Sequence, residues 1–309
     1  MFKLPSPPSA QAGIHELADF VELTCWNYGT TSKREIIACL GRNDDNDNNV
    51  GCDDDDDQNS DVLDEVMGEI ERRGNACGCN YPFTLEFEGT VLRHESEDQT
   101  LKALVYRFLL LSTRLNMKDN RVHAEVDGTH LLEEISAIAL KNYLGGSRAQ
   151  AIVFGTSCSN SFEDRVNELC HKLREGSGFQ SLGATQAQAK DDKLDVVAWV
   201  PFSDLLPGQL IVFGQCKTGT TWRDQGTQLQ PDVFVKKWLK GTILVNPVRA
   251  FCISEAANRA QWLDICVETG ILLDRCRLVD FCDCISAELT ERLITWTSAA
   301  KDALILPGS

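Results

Sequence analysis

The feature that most constrains this fold is an apolar stretch that ends in a charged residue. Residues 209–216 (QLIVFGQC) have the composition of a buried strand, and Lys217 follows at its end. A buried lysine is unfavourable without a partner, so the strand either reaches solvent at Lys217 or meets opposite charge there. Side chains alternate along a strand, and Gln215 and Lys217 therefore share one face at its end.

A second strand is predicted just upstream, over residues 194–200 (LDVVAWV). The link between the two, residues 201–208 (PFSDLLPG), is rich in turn-forming residues, so the strands are predicted to form a hairpin. That pairing would place Asp195 beside Gln215 and Lys217. The sequence thus predicts a carboxylate, an amide and an ammonium group at one end of a sheet.

Helices and strands alternate throughout the second half of the chain. Further strands are predicted over residues 151–154, 242–245 and 248–253 and within 271–280, and helices over 161–174, 228–239, 258–269 and 286–300. This order predicts an α/β domain, residues 147–309, with a mixed central sheet flanked by helices.

The first half, residues 1–146, is predicted to be mainly helical. Helices are expected over residues 60–73, 99–115 and 131–144, and one strand over 81–92. We expect the apolar helices 99–115 and 131–144 to form a docking surface for a protein partner. Residues 43–61 hold nine aspartates and no basic residue, which predicts a disordered acidic loop.

Charge and composition limit the classes of function. The net charge is −16 over 309 residues, and the chain stays acidic without residues 43–61. Such a chain gains little counterion release on a polyanion, which argues against nucleic-acid binding by charge alone. No apolar run approaches the ~20 residues of a membrane span. The start lacks a secretory pattern, and the thirteen cysteines are typical of reduced thiols, so a cytoplasmic location is predicted.

A further carboxylate, Glu163, lies on the predicted helix 161–174 and would reach the strand ends if that helix packs on the sheet. Carboxylate and amide oxygens are hard ligands of the kind that Mg²⁺ takes. A bound metal stabilises charge on a phosphoryl oxygen and lowers the pKa of a water, and a nearby lysine can position that water. The set therefore suits hydrolysis of a phosphodiester.

Three segments in this order resemble the PD-(D/E)xK nuclease superfamily: residues 161–163 (SFE), 192–198 (DKLDVVA) and 215–217 (QCK). The similarity is greatest to its restriction-endonuclease-like branch with a QxK motif, and it covers residues 157–253. It implies a restriction-endonuclease-like core, Mg²⁺ or Mn²⁺ as the cofactor, and endonucleolytic cleavage of DNA in an anti-phage defence or restriction system.

The resemblance also implies a role for each site residue. The metal ligands would be Glu163, Asp195, Gln215 and the main-chain carbonyl of Cys216, whereas Lys217 would act on the attacking water. Gln215 stands where the family has Asp or Glu, which removes one negative charge from the site.

Two alternatives remain open at the level of sequence. Glu168 competes with Glu163, because five residues turn a helix by about 140° and only one of the two would face the site. A catalytically inactive subunit that keeps the fold as a protein-interaction platform competes with the enzyme, and Gln215 and the acidity of the chain favour it. Since the chain is acidic, we expect an ATPase, helicase or sensor subunit to deliver the DNA.

Overall fold

The computed structural model describes residues 2–9, 11–44, 54–95, 100–155, 161–181 and 192–303. Within these ranges the chain is a mixed α/β protein in which helices cover both faces of a five-stranded sheet. No helix of the described residues is long and apolar enough to cross a membrane.

The first half contains five helices and short strands. They are α1 (Ile14–Tyr28), β1 (Thr30–Ser32), α2 (Lys33–Asp44), α3 (Asp54–Cys77), β2 (Phe83–Glu86), β3 (Val91–His94), α4 (Leu101–Arg114), β4 (Val122–His123), β5 (Val126–Asp127) and α5 (Gly128–Tyr143). Strands β1, β3 and β2 form a small antiparallel sheet. The three helices predicted here are confirmed as α3, α4 and α5.

Two predictions for the first half are wrong in part. The single strand expected over 81–92 is a hairpin of β2 and β3, because Phe87, Glu88 and Gly89 have positive φ angles that reverse the chain. The predicted acidic loop 43–61 is helical at both ends, since α2 ends at Asp44 and α3 begins at Asp54. Residues 45–53 of the predicted loop lie outside the described residues.

The second half builds the five-stranded sheet. Its elements are β6 (Gln150–Val153), α6 (Phe162–Leu173), β7 (Val196–Val200), β8 (Leu210–Lys217), α7 (Pro231–Trp238), β9 (Val248–Ile253), α8 (Trp262–Thr269), β10 (Ile271–Leu273), α9 (Arg275–Phe281) and α10 (Ala287–Asp302). The strand order is β10-β9-β8-β7-β6. Strands β6, β7 and β8 are antiparallel neighbours, whereas β8, β9 and β10 are parallel.

The predicted hairpin is confirmed, because β7 pairs with β8 in a register that sets Val197 opposite Phe213. The strand predicted over 242–245 is wrong. In that segment the Leu244 N–H donates to the Glu175 carboxylate, and the Thr242 carbonyl accepts from the Gly176 N–H. These bonds tie the segment to the end of α6, so its backbone groups are not paired in a sheet.

The two faces of the sheet bury different layers. Val196, Ala198 and Val212 face α5 and join one hydrophobic cluster with the helices of the first half. The alternate residues of β7 and β8 face α6 and α7; they are Val197, Trp199, Ile211 and Phe213, packed among residues such as Val166 and Phe234. The predicted boundary near residue 146 thus falls between α5 and β6, two elements that pack against each other.

The predicted docking surface on the apolar helices is wrong, because those helices are internal. In α4 the side chains of Val105, Phe108 and Leu111 are fully buried, and in α5 those of Leu131 and Leu140 are too. Their apolar stripes are used within the chain itself.

A buried ionic cluster joins four helices in this interior. We call it the Asp19 cluster: Asp19 on α1 with Arg73 on α3, Arg114 on α4 and Arg275 on α9. The Asp19 carboxylate accepts from Arg73 Nη1 at 2.7 Å, from Arg114 Nε at 2.7 Å and from Arg275 Nη1 at 2.8 Å. Burial opposes ionisation of Asp19, yet the three guanidinium groups hold its pKa well below the usual range.

We expect Asp19→Asn to lower the free energy of unfolding by about 3–5 kcal/mol, because it removes the one carboxylate that three buried guanidinium groups share. Asp64→Asn is the control: Asp64 is 58% exposed, pairs with Lys33, and should lose less than about 1 kcal/mol. The stabilisation from Asp19 is present above the ordinary carboxyl pKa and is lost as the pH falls. The difference in the free energy of unfolding between wild type and Asp19→Asn should therefore become smaller below about pH 4.

Urea unfolding of the three proteins at pH 7 and pH 3 measures both effects. Equal losses for Asp19→Asn and Asp64→Asn at pH 7 would contradict the importance of the cluster.

Candidate functional site

One edge of the sheet collects the polar residues that the sequence singled out. Strand β7 runs antiparallel to β6 and β8, so its first residues lie at the same edge as the last residues of its neighbours. Asp195 directly precedes β7, Lys217 ends β8, and Gly155 follows β6. The structure therefore brings the Asp195 segment to the end of β8, as predicted.

Asp195 is held on both sides by main-chain hydrogen bonds. Its carboxylate Oδ2 accepts from the Cys216 N–H at 2.7 Å, and its own N–H donates to the Gly214 carbonyl at 3.0 Å. Its carbonyl accepts from the N–H groups of Phe154 at 2.7 Å and Gly155 at 3.0 Å. The buried carboxylate is thus fixed beside the main chain of β8, next to Gln215.

Gln215 is fully buried, and neither its amide oxygen nor its amide nitrogen has a hydrogen-bond partner among the described residues. An unpaired buried amide costs about 1–3 kcal/mol, and native proteins seldom leave one without a reason. The unpaired Gln215 amide thus lies on the strand end where the sequence analysis expects a metal ligand.

The main-chain groups of Cys216 and Lys217 point to opposite sides of β8. Lys217 is half-buried and lies two residues beyond Gln215 on β8, and its carbonyl accepts from the Ser254 N–H at 3.2 Å. The Cys216 N–H points the other way, toward Asp195. The N–H and C=O of one strand residue point to the same side, so the Cys216 carbonyl also faces the Asp195 side of β8.

The sulfur of Cys216 is a poor candidate for metal binding. Burial, together with the neighbouring Cys252 thiol, raises the pKa of Cys216 well above its usual value. The side chain is therefore a protonated thiol, and the oxygen of its carbonyl is the available donor.

A second carboxylate reaches this edge from α5. The Glu133 oxygens lie so close to Gly155 that a Cβ on Gly155 would come within 2.7 and 2.8 Å of them. Gly155 donates its N–H to the Asp195 carbonyl at 3.0 Å, so Glu133 and Asp195 both border this glycine. His130 Nδ1 lies 3.3 Å from Glu133 Oε2, and that hydrogen bond raises the pKa of His130.

The two glutamates predicted on α6 are both exposed. Glu163 occupies the first turn after the Ser161 cap, where a carboxylate stabilises the helix dipole. Glu168 forms an ion pair with Lys172 at 3.3 Å. Among the described residues, the carboxylate that lies against Gly155 is instead that of Glu133 on α5.

Helix α6 contributes a positioning residue instead. Arg165 is buried, and its Nη1 donates to the carbonyls of Phe154 at 2.6 Å and Gly155 at 2.8 Å. Its guanidinium also lies over the Phe154 ring, 5.3 Å from the centroid. Arg165 therefore fixes the segment whose N–H groups hold Asp195.

The donors at this edge are all oxygens: the carboxylates of Glu133 and Asp195, the amide of Gln215 and the carbonyl of Cys216. Oxygen donors of this kind suit Mg²⁺ or Mn²⁺. Within the described ranges no group of three or more His, Cys, Asp and Glu side chains could hold a metal ion. A metal at this edge would accordingly depend on the amide and main-chain oxygens as well as on carboxylates.

A cavity of about 680 Å³ lies among other residues of the described structure. It is lined by residues 11–16, by Arg223 and Gln261, and by Glu255, whose pKa is raised by burial. Asp195, Gln215 and Lys217 are not among its lining residues, so the cavity is separate from the candidate site.

No protein-family model, no curated protein and no solved structure matches this chain. The functional interpretation therefore rests on the residues of the chain itself.

Sequence reasoning missed Glu133, although a signal was present. Glu133 and Glu134 interrupt an otherwise apolar helix, between the buried residues Leu132 and Ile135. Acidic residues that directly adjoin the buried face of a helix indicate that the border of that face is in contact with polar groups.

We expect Gln215→Met to leave the free energy of unfolding unchanged or to raise it by about 1 kcal/mol, because it removes a buried amide without partners. The matched control is Gln209→Met, near the start of the same strand. Gln209 is also buried, but its Nε2 donates to the Leu173 carbonyl. That variant should lose about 1–2 kcal/mol.

Urea unfolding in EDTA measures both variants. A loss at Gln215 as large as the loss at Gln209 would show that the Gln215 amide has a partner within the protein.

Proposed function

We propose that this chain is a metal-dependent nuclease that hydrolyses phosphodiester bonds, with DNA as the substrate. The observation that carries the proposal is the Gln215 amide, buried without a partner beside the fixed carboxylate of Asp195. The element order α5-β6-α6-β7-β8-α7-β9 supports a restriction-endonuclease-like core with α6 inserted between β6 and β7, and in it α5 would supply the helical glutamate.

Four oxygen donors would hold Mg²⁺ or Mn²⁺: Glu133, Asp195, Gln215 and the Cys216 carbonyl. Two observations favour the fit. Gly155 leaves room for the Glu133 carboxylate, and the Gln215 oxygen lacks a hydrogen-bond partner among the described residues. When bound, the metal would supply Lewis-acid stabilisation of the phosphoryl charge and a more acidic water.

Lys217 is the proposed catalytic cation. It follows Gln215 by two residues on β8, so its side chain leaves the strand on the same face. Its ammonium group can donate hydrogen bonds to an attacking water and to a phosphoryl oxygen, which orients the first and stabilises charge on the second. Arg165 and the hydrogen bonds of Asp195 have a positioning role, because they fix the strand ends against which the substrate would bind.

DNA delivery by a partner remains part of the proposal. The chain carries a net charge of −16, and its own field repels a polyanion. An ATPase, helicase or sensor subunit that holds DNA would supply the missing attraction. The partner would have to bind a surface other than α4 and α5, because the apolar faces of those helices are buried.

Calorimetric titration with Mn²⁺ tests the site without any partner. We expect wild type to bind Mn²⁺, and we expect Glu133→Gln, Asp195→Asn and Gln215→Met each to weaken binding about tenfold or more. Glu163→Gln is the matched control on the other helix and should bind as wild type does. Lys217→Ala should keep Mn²⁺ binding but lose DNA cleavage, whereas the exposed Lys236→Ala should keep both.

Unchanged Mn²⁺ binding by Asp195→Asn would refute the site. A loss in Glu163→Gln but not in Glu133→Gln would restore the assignment made from the sequence. Tight Mn²⁺ binding without cleavage, even with DNA and the partner present, would favour the inactive interaction platform.

A further inference from the structure

Two cationic side chains lie close to the ring of Trp26, and neither belongs to the candidate site. We call this group the Trp26 cluster: Trp26 at the end of α1, His94 at the end of β3, Arg107 on α4 and Lys301 on α10. The Arg107 guanidinium carbon lies 5.6 Å from the centroid of the Trp26 ring, and Lys301 Nζ lies 5.0 Å from it. Arg107 Nη1 is 3.3 Å from His94 Nε2. Four separate elements thus bring two cations to one indole.

Arg107 differs from the other arginines of the interior. Arg73, Arg114 and Arg275 each bind buried carboxylates. Among the residues that the structure describes, Arg107 pairs with no carboxylate, and its buried Nε–H has no acceptor. A partly desolvated guanidinium without an anion is unfavourable, and this chain has acidic residues in excess. The position of Arg107 is thus suited to an anion from outside the chain.

The pKa values of Arg107, His94 and Lys301 are all lowered, as expected for cationic groups that are partly buried near one another. Burial lowers the pKa of Arg107 to about 10, so the group stays charged at neutral pH. Burial and the nearby Arg107 and Lys301 lower the pKa of His94 to about 4. Burial and Arg107 also lower the pKa of Lys301. Among the described residues, Glu95 acts on His94 and Asp302 acts on Lys301, and neither lowers the positive charge of Arg107.

We propose that the Trp26 cluster binds a phosphate monoester, with Arg107 and Lys301 as its two cationic contacts. Arg107 is half-buried, and a guanidinium presents a planar fork of N–H groups that matches two phosphate oxygens. Two cations suit a monoester, which carries nearly two negative charges at neutral pH, better than an internal phosphodiester with one. The site is independent of the proposed nuclease chemistry.

The monoester could belong to a free nucleotide or to the phosphorylated end of a nucleic acid. Calorimetric titrations of the full chain in EDTA distinguish these sources. The probes are inorganic phosphate, a nucleoside 5′-monophosphate, a 5′-phosphorylated oligonucleotide and the same oligonucleotide without the phosphate. Binding of the nucleotide identifies a free nucleotide as ligand, and binding of the phosphorylated oligonucleotide alone identifies a strand end. Either result supports the proposal.

Charge-removing variants locate the site. Arg107→Gln and Lys301→Gln should each weaken binding of the phosphorylated probe about tenfold or more. Arg93→Gln is the matched control: Arg93 precedes His94 on β3, is 49% exposed on its side chain and pairs with Glu86. It should bind as wild type does. Since no carboxylate of the described residues pairs with Arg107, we expect Arg107→Gln to remain folded, with only the contacts to Trp26 and His94 lost; urea unfolding measures this.

Three outcomes would overturn the proposal. The first is equal affinity for the two oligonucleotides. The second is a phosphate response no larger than that to sodium chloride at the same ionic strength. The third is undiminished binding by both Arg107→Gln and Lys301→Gln; the second variant keeps this test decisive if the first fails to fold.

Discussion

The contact between Asp19 and three arginines is the interaction on which the rest of this structure depends. It ties α1, α3, α4 and α9 together in an interior from which water is excluded, where ionic groups are stable only when paired. Arg275 carries the connection onward, because its Nε donates to the Ser254 carbonyl at 3.0 Å and the Ser254 N–H donates to the Lys217 carbonyl at 3.2 Å. The ionic centre therefore helps to position the strand end that bears the candidate site.

Some buried polar groups of the described residues depart from the pairing that the Asp19 cluster illustrates. The Gln215 amide and the Arg107 Nε–H are two of them, and neither has a hydrogen-bond partner among those residues. Unsatisfied groups of this kind cost stability and persist where a ligand completes them. The nuclease proposal places a cation beside Gln215, near the Asp195 carboxylate that accepts from the Cys216 N–H. The second proposal places an anion beside Arg107, near His94 and Lys301.

Local pattern predicted the parts of the fold that depend on neighbouring residues. Alternation along β7 and β8, and the turn-rich link between them, set Asp195 beside Gln215 because a hairpin has a short-range register. Pattern could not choose between Glu133 and Glu163, since both lie on amphipathic helices and the choice depends on which helix end reaches Gly155. Nor could it reveal Asp19, whose partners are far away in sequence and whose charge is typical of a surface position.

The most direct test of the account is a crystal structure of the protein soaked in Mn²⁺, with the metal located by its anomalous scattering. The account predicts one strong peak at the carboxyl end of β8, bound by Asp195, Gln215 and the Cys216 carbonyl, with Glu133 on its remaining side. A structure with no peak at this edge, and with the Gln215 amide hydrogen-bonded to the protein, would contradict it.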